Sequence, residues 1–367
     1  MQSIKVALVY DRVNSWGGAE RVLLALHSMF PHAPLYTSVY NSKKALWAKK
    51  FTIYTSFLQK MPFAKSHHQL FAPLMPFAFA SFHLKKYDIV ISVTSESAKG
   101  IRVARGVPHI CICLTPTRYL WSGYEEYFSN KIVRKLLYPF IAMLRMWDKQ
   151  MAARPTQFIA ISEEVKKRIA TYYNRDALVL YPPLMLDTKK KKSAKEIILD
   201  KDYFLVIARL SKFTLYKRVD LAIKAATRLA LPLVVIGSGN QKYFQKFAGP
   251  TVKFISSVSD EALAQYYKNA KALIFPGYED FGLVMAEAQS YGLPVIAYKK
   301  GGALEIVKDG ITGTFFKKQT VSSLSRVLRS FQGSLYNKQS IIKNAKAFSY
   351  AQFEKSLRKY ILELANL

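Results

Sequence analysis

From Tyr203 onward, short apolar runs alternate with stretches of helical periodicity, and that alternation leaves the chain few folds to choose from. Phe204 to Ala208 is followed by Val219 to Leu229, Leu233 to Ile236 by Gln241 to Phe247, and Val252 to Ile255 by Asp260 to Asn269. Leu273 to Phe275 then leads to Phe281 to Tyr291, with Val295 to Ala297 after it. Runs that are apolar throughout read as strands covered on both faces, so the pattern predicts a parallel, doubly wound sheet. The first half repeats the theme less regularly, with strands expected at Val6 to Val9, Leu35 to Ser38, Ile89 to Val93, Ile110 to Leu114, Phe158 to Ile161 and Leu178 to Leu180. The fold class is therefore α/β, with two Rossmann-like parallel-sheet domains, 1–183 and 184–349, joined near Tyr181 to Lys195. A last helix, in 350–367, is expected to pack back toward the first domain.

The 367 residues, half of them apolar, supply enough material for two cores. The amino terminus, Ile4 to Tyr10, reads as a strand rather than a signal peptide, and no apolar run reaches the length of a membrane span. A cytoplasmic protein is expected. Cys111 and Cys113 alternate along an apolar strand and read as small reduced core residues, not a metal or redox site. The net charge of +31 divides almost evenly, +15 in residues 1–183 and +16 in 184–367, so it is not a basic tail. Such a charge attracts polyanions, either nucleic acid or an anionic bilayer. Its only dense run, Lys189 to Lys192 with Lys195, reads as a solvated linker.

The residues with chemical promise sit where strands give way to helices. In Phe275-Pro-Gly-Tyr-Glu-Asp-Phe-Gly-Leu-Val-Met-Ala-Glu287, the strand is broken by Pro276 and Gly277. Asp280 is a candidate N-cap, and the amides of Phe281, Gly282 and Leu283 then become an anion-attracting helix start. Glu287 falls inside that helix among Val284, Met285 and Ala288, where a buried carboxylate needs hydroxyl or amide donors such as a ribose diol. Arg209 ends the strand Phe204 to Ala208, and Lys217 precedes the helix at Val219. Two cations at that edge suit a diphosphate leaving group without a metal. In the first domain the strand ending at Tyr10-Asp11 leads to Gly17-Gly18, a turn through which a backbone can approach a phosphate.

Taken together these motifs resemble the retaining GT-B glycosyltransferases of family 4, over essentially Val6 to Leu364. The resemblance is nearest to bacterial GDP-mannose-type mannosyltransferases of polysaccharide assembly. It is carried by Gly17-Gly-Ala-Glu-Arg-Val22, Thr115-Pro-Thr-Arg-Tyr-Leu-Trp121, Tyr216-Lys-Arg-Val-Asp220, Glu279-Asp-Phe-Gly282, Glu287-Ala288 and Gly301-Gly-Ala-Leu-Glu305. It implies two domains facing across a cleft that holds the donor, with Arg209 and Lys217 on the diphosphate and Glu287 on the ribose. Glu279 and the Phe281 to Leu283 amides would orient the transferred sugar. It implies an NDP-sugar co-substrate, with GDP-mannose favoured, no metal, and a lipid-linked or polysaccharide acceptor. Leu114 stands where the family usually has His before Thr-Pro, and Asp11, Thr115, Arg118 and Tyr119 are the acceptor-side candidates.

Two segments bear on membranes. Phe57 to Leu84 is rich in aromatics and Met with basic and His residues between them, and Pro62, Pro73 and Pro76 argue against one long helix. It reads either as core packing or as an interfacial segment. In Lys131 to Lys149, Leu136, Leu137, Phe140 and Leu144 are expected to share a face flanked by Lys131, Arg134, Lys135, Arg145 and Lys149. Peripheral attachment at the inner face of the cytoplasmic membrane is the expectation. The alternatives are a basic nucleic-acid-binding protein, for which no aromatic-basic recognition motif or dense basic stripe is present, or an epimerase or phosphorylase on the same fold.

Overall fold

The computed structural model describes residues 4–185, 202–211, 216–256 and 258–365. The Lys189 to Lys195 run lies outside them. The chain divides into two compact units, 1–183 with 353–367 and 184–352.

The first unit is built on a seven-stranded sheet of order β3-β2-β1-β4-β5-β6-β7. Its strands are β1 (Val6–Tyr10), β2 (Leu35–Thr37), β3 (Ile53–Thr55), β4 (Ile89–Thr94), β5 (His109–Cys113), β6 (Gln157–Ala160) and β7 (Ala177–Val179). Every pairing is parallel. β1, β4 and β5 are buried along their whole length, as an all-apolar strand covered on both faces must be. β3 escaped the sequence because Ile53-Tyr-Thr is a short edge strand with an exposed Tyr54. Cys111 and Cys113 are buried free thiols in β5, and burial pushes Cys111 up to about 12.

The second unit holds a six-stranded parallel sheet, β10-β9-β8-β11-β12-β13. Its strands are β8 (Phe204–Ile207), β9 (Leu233–Ile236), β10 (Val252–Ile255), β11 (Ala272–Phe275), β12 (Val295–Tyr298) and β13 (Gly313–Phe316). β13 gave no apolar run because its sequence, Gly-Thr-Phe-Phe, is only partly buried. The amphipathic helix Val219–Arg228 lays Val219, Leu221, Ala222, Ile223, Ala225 and Ala226 on β8 and β9, in a core shared with Phe244, Ile274 and Leu324. In each sheet the strand order reverses beside the first strand, between β1 and β4 and between β8 and β11. Loops at the carboxyl ends of such neighbours diverge and leave a crevice for a ligand.

The helix Tyr350–Ala365 starts in the second unit and belongs to the first from Phe353 on, where the Tyr360 hydroxyl donates to the Val179 carbonyl at 3.2 Å. The Phe57 to Leu84 segment is not one helix. It forms short turns at Phe57–Lys60 and His68–Leu74 and a helix at Met75–Ala80. Leu58, Ala64, Met75, Ala78, Phe79 and Leu84 enter the core, whereas Phe57, Phe63, Leu70 and Phe77 face outward. Lys131–Ala152 is a single helix, capped by the Asn130 side chain. Its expected apolar face splits: Ile141, Leu144 and Leu137 pack with Leu120, while Leu136 is 75% exposed and Phe140 also faces out. No helix among the described residues is long and apolar enough to cross a membrane.

Candidate active site

In the second unit, the loop after β8 meets the loop after β11 at the strand-order reversal. Lys217 lies in a single turn before the helix Val219–Arg228, and its Nζ sits 2.5 Å from Glu279 Oε1. Both side chains are only 19% exposed. The backbones touch as well: the Tyr278 amide donates to the Tyr216 carbonyl, and a Cβ on Gly277 would come within 2.8 Å of the Lys217 Cα. Arg209 follows β8 at the same edge and is exposed. The pairing joins residues 62 apart in sequence, brought together where the two loops pack on each other.

The helix after β11 starts later than expected. It spans Leu283–Ser290, and its N-cap is Gly282 at φ 90°, not Asp280. A side chain in that left-handed conformation is strained, and a Cβ there would also run into the Met285 side chain at 2.6 Å and Phe275 at 2.8 Å. Glycine thus sets the helix start, and its leading amides belong to Leu283 and Val284 rather than to Phe281. Phe281 is instead buried, its ring against Phe348. Gly302 seats this loop from β12: a Cβ there would lie 2.3 Å from the Phe281 carbonyl oxygen, and the Gly302 amide donates to the Glu279 carbonyl.

Glu287 is buried at 6% exposure and accepts from the Tyr267 hydroxyl at 3.0 Å. The Tyr267 ring stacks on Tyr291. Tyr267 escaped the sequence analysis because nothing in the helix Asp260–Asn269 marks one tyrosine as a carboxylate partner.

The carboxyl edge of the first sheet is organised by two buried acids. Asp11, 2% exposed, takes Thr94 Oγ1 and the amides of Ser97 and Ala98 on one oxygen, and the amides of Ser95 and Glu96 on the other, all at 2.7–3.0 Å. Burial and the nearby Glu96 raise its pKa, while Arg12 and the amide donors work the other way. Its oxygens hold the loop after β4 in place.

Asp148 was not foreseen. It accepts from Lys99 (2.6 Å) and Thr117 (2.9 Å) on one oxygen and from Trp121 Nε1 (2.7 Å) and the Tyr173 hydroxyl (2.8 Å) on the other. Burial works to lower the Lys99 pKa and Asp148 more than offsets it, so the ammonium is held above its usual value. The sequence did carry a signal: Asp148 is the lone carboxylate in a basic, apolar helix, a residue type that is rarely buried without partners. This network fixes the Thr115 to Trp121 loop by Thr117 and Trp121 and leaves Arg118 and Tyr119 half-exposed. Thr115 is buried, with Arg168 donating to its hydroxyl at 3.5 Å. Gly17 caps the helix Gly18–Met29 in an extended conformation, beside β1. Arg118, Tyr119 and Gly18 lie on the same sheet edge as Asp11.

A match to a family model decides what kind of domain this second edge belongs to: residues 187–348 fit Glycosyl transferases group 1. The second unit carries a group 1 glycosyl transferase domain. An uncharacterised 41.2 kDa protein of the cps region of Klebsiella pneumoniae is 28% identical over 192 residues, 52% of each chain. D-inositol 3-phosphate glycosyltransferase of Streptomyces coelicolor is 38% identical over 115 residues, 29% of this chain and 25% of that one. The chain thus spans about half, or less, of the curated relatives it matches. Among solved structures, Anabaena HepE in complex with UDP and glucose superposes with a TM-score of 0.71 at 18% identity, over 98% of this chain and all of that one. The lipopolysaccharide outer core galactosyltransferase WaaB gives 0.67 at 20% identity, over 98% and 99%. These likenesses show the GT-B fold for the pair of sheets. The group 1 transferase domain contributes the Lys217–Glu279 pair and the Glu287 helix.

Proposed function

We propose that the chain is a retaining, metal-independent glycosyltransferase that moves a hexose from a nucleoside diphosphate sugar to a lipid-linked or polysaccharide acceptor. The observation that carries this reading is the meeting of Lys217 with Glu279 beside the Leu283 helix start, a few residues before the buried Glu287. Without donor, Lys217 and Glu279 neutralise each other. With donor, Lys217 and the exposed Arg209 turn to the diphosphate and stabilise the charge that develops as the glycosidic bond breaks. Glu279 is then released to accept from a sugar hydroxyl, and the leading amides at Leu283 sit where the helix dipole favours an anion. Glu287, already held by Tyr267, takes the ribose hydroxyls. In the retaining path the leaving phosphate accepts the acceptor's proton on the same face, so the protein supplies position and charge rather than a nucleophile.

Mannose, with GDP as the nucleotide, is the proposed donor from the motif resemblance. HepE, of like fold, holds UDP and glucose, which makes UDP-glucose the competing candidate. On the first unit, Gly17 and Gly18 are proposed donor-binding residues and Asp11, Thr115, Arg118 and Tyr119 the proposed acceptor-side residues, with Arg118 or Tyr119 acting in place of the histidine absent at Leu114. Peripheral attachment to an anionic membrane at the inner face of the cytoplasmic membrane belongs to the same reading, supported by the +31 charge.

A thermal-shift screen across nucleotides and NDP-sugars tests it, because a ligand of the folded state raises the melting temperature. A shift with one NDP-sugar, lost in Lys217→Ala and Glu287→Ala, is the expected result. No shift with any of them, or full transfer by both variants, overturns the assignment.

A further inference from the structure

The helix Lys131–Ala152 presents an apolar stripe that the described residues do not cover. Ile132 and Leu136 are 72% and 75% exposed, Phe140 faces out, and Met143 and Trp147 continue the line half-buried. At 100° per residue these positions fall within roughly 80° of the helical circumference. The buried side, with Leu137, Ile141, Leu144 and Asp148, lies next to it. Lys131, Lys135 and Lys149 border the stripe on the other flank. The helix's single carboxylate, Asp148, is turned inward and spent on Lys99, so the outer face carries no acid.

The stripe ends at a groove. Trp147 meets Phe77, itself 56% exposed, edge to face with ring centres 6.0 Å apart. Between them and Met151 lies a depression of about 160 Å³ whose other walls include Arg102 and Arg154. Arg154 donates to the Gly100 carbonyl, and burial together with the Arg102 guanidinium lowers its pKa. Among the described residues no acidic side chain lines the groove. Two arginines side by side, with no carboxylate between them, at the end of an exposed apolar stripe are a pairing suited to a ligand with a phosphate at one end and hydrocarbon at the other. The sequence around Phe77 agrees, since no Asp or Glu occurs from Arg21 to Tyr87.

We infer that this groove seats the phosphate of an anionic glycerophospholipid on Arg102 and Arg154, and that the Ile132, Leu136, Phe140 stripe enters the same leaflet alongside Phe77. The inference rests on the membrane part of the proposed function and gives it a definite face. The helix then lies in the interface plane, apolar side down, as amphipathic helices on anionic bilayers do.

Cosedimentation of the full chain with phosphatidylcholine vesicles, with and without phosphatidylglycerol, tests it. The wild-type chain is expected to bind only the phosphatidylglycerol vesicles. The triple variant Ile132→Gln, Leu136→Gln, Phe140→Gln should lower partitioning by on the order of a hundredfold, and Arg102→Gln by about fivefold. Melting temperature and binding of NDP-sugar in solution should stay as in the wild type. Brominated phosphatidylglycerol should quench tryptophan fluorescence, and Trp147→Phe should remove most of that quenching. If the wild type binds but the triple variant and Arg102→Gln bind equally well, the groove is overturned while membrane attachment stands on another face. If the wild type ignores phosphatidylglycerol vesicles at low salt, attachment itself fails and the groove with it, leaving the transferase reading untouched.

Discussion

The two sheets present their carboxyl edges in opposite states. In the first unit, the buried acids Asp11 and Asp148 are committed to holding loops, with donors on both oxygens of each. In the second, the Lys217–Glu279 pair is partly open to water, and the buried Glu287 accepts from the Tyr267 hydroxyl. A carboxylate saturated by its own chain builds shape, whereas one paired with a single movable cation can exchange that partner for a ligand. The difference separates two acids that both follow the carboxyl end of a strand: Asp11 is held by its own loop, whereas Glu279 is paired with the Lys217 ammonium.

The contrast is broken most severely by removing an acid from the saturated edge. Asp148→Ala leaves Lys99 charged and buried without its counter-ion and is expected to cost about 3–5 kcal/mol. Calorimetry or denaturant unfolding should show that loss in the first unit, while NDP-sugar affinity of the surviving folded fraction is unchanged. Lys217→Ala should do the reverse. We expect transfer to fall by about 10²–10³-fold, as for loss of one preorganised charge-stabilising group, with melting temperature near that of the wild type. Equal loss of stability in both variants would erase the distinction between the two edges.

A smaller effect comes from pH. His109 lies buried in β5, its Nε2 2.8 Å from Ser92 Oγ, and desolvation takes its pKa down to about 3. The folded value lies below the unfolded one, so its stability contribution is whole above about pH 6.5 and fades as pH falls toward 3, at roughly 1.4 kcal/mol for each pH unit. Melting curves from pH 7.5 down to 4.5 should show this slope in the wild type and a shallower one in His109→Asn. The finest test is Tyr267→Phe. Removing that single hydrogen bond to Glu287 should weaken donor binding by about fivefold, read as a rise in KM with kcat little altered; an unchanged KM would detach Tyr267 from the donor site.

Much of this was legible in the chain. The alternation of apolar strands and amphipathic helices predicted both parallel sheets, because burial on both faces of a strand imposes continuous apolarity. Arg209, Lys217, Glu279 and Glu287 stood out because strand ends and helix starts are where such a sheet binds ligands. The helix start was misplaced, since Asp280 has the chemistry of a cap while Gly282 has the conformation, and backbone geometry decided. Lys99, Asp148 and Tyr173 were hidden for another reason: their partnership spans three elements, and no local pattern records a contact made only by packing. β3 and β13 went unread because half-buried edge strands lack the continuous apolar run.

Asp148 also limits how the chain can be rebuilt. By joining Lys99, the Thr115 to Trp121 loop and Tyr173 through one side chain, it makes that loop inseparable from the helices behind it. A loop transplanted from a structural relative would arrive with no donors matched to this acid and would strand a buried charge. Retargeting is therefore better aimed at Arg118 and Tyr119, the proposed acceptor-side residues of this loop, which do not bond to Asp148.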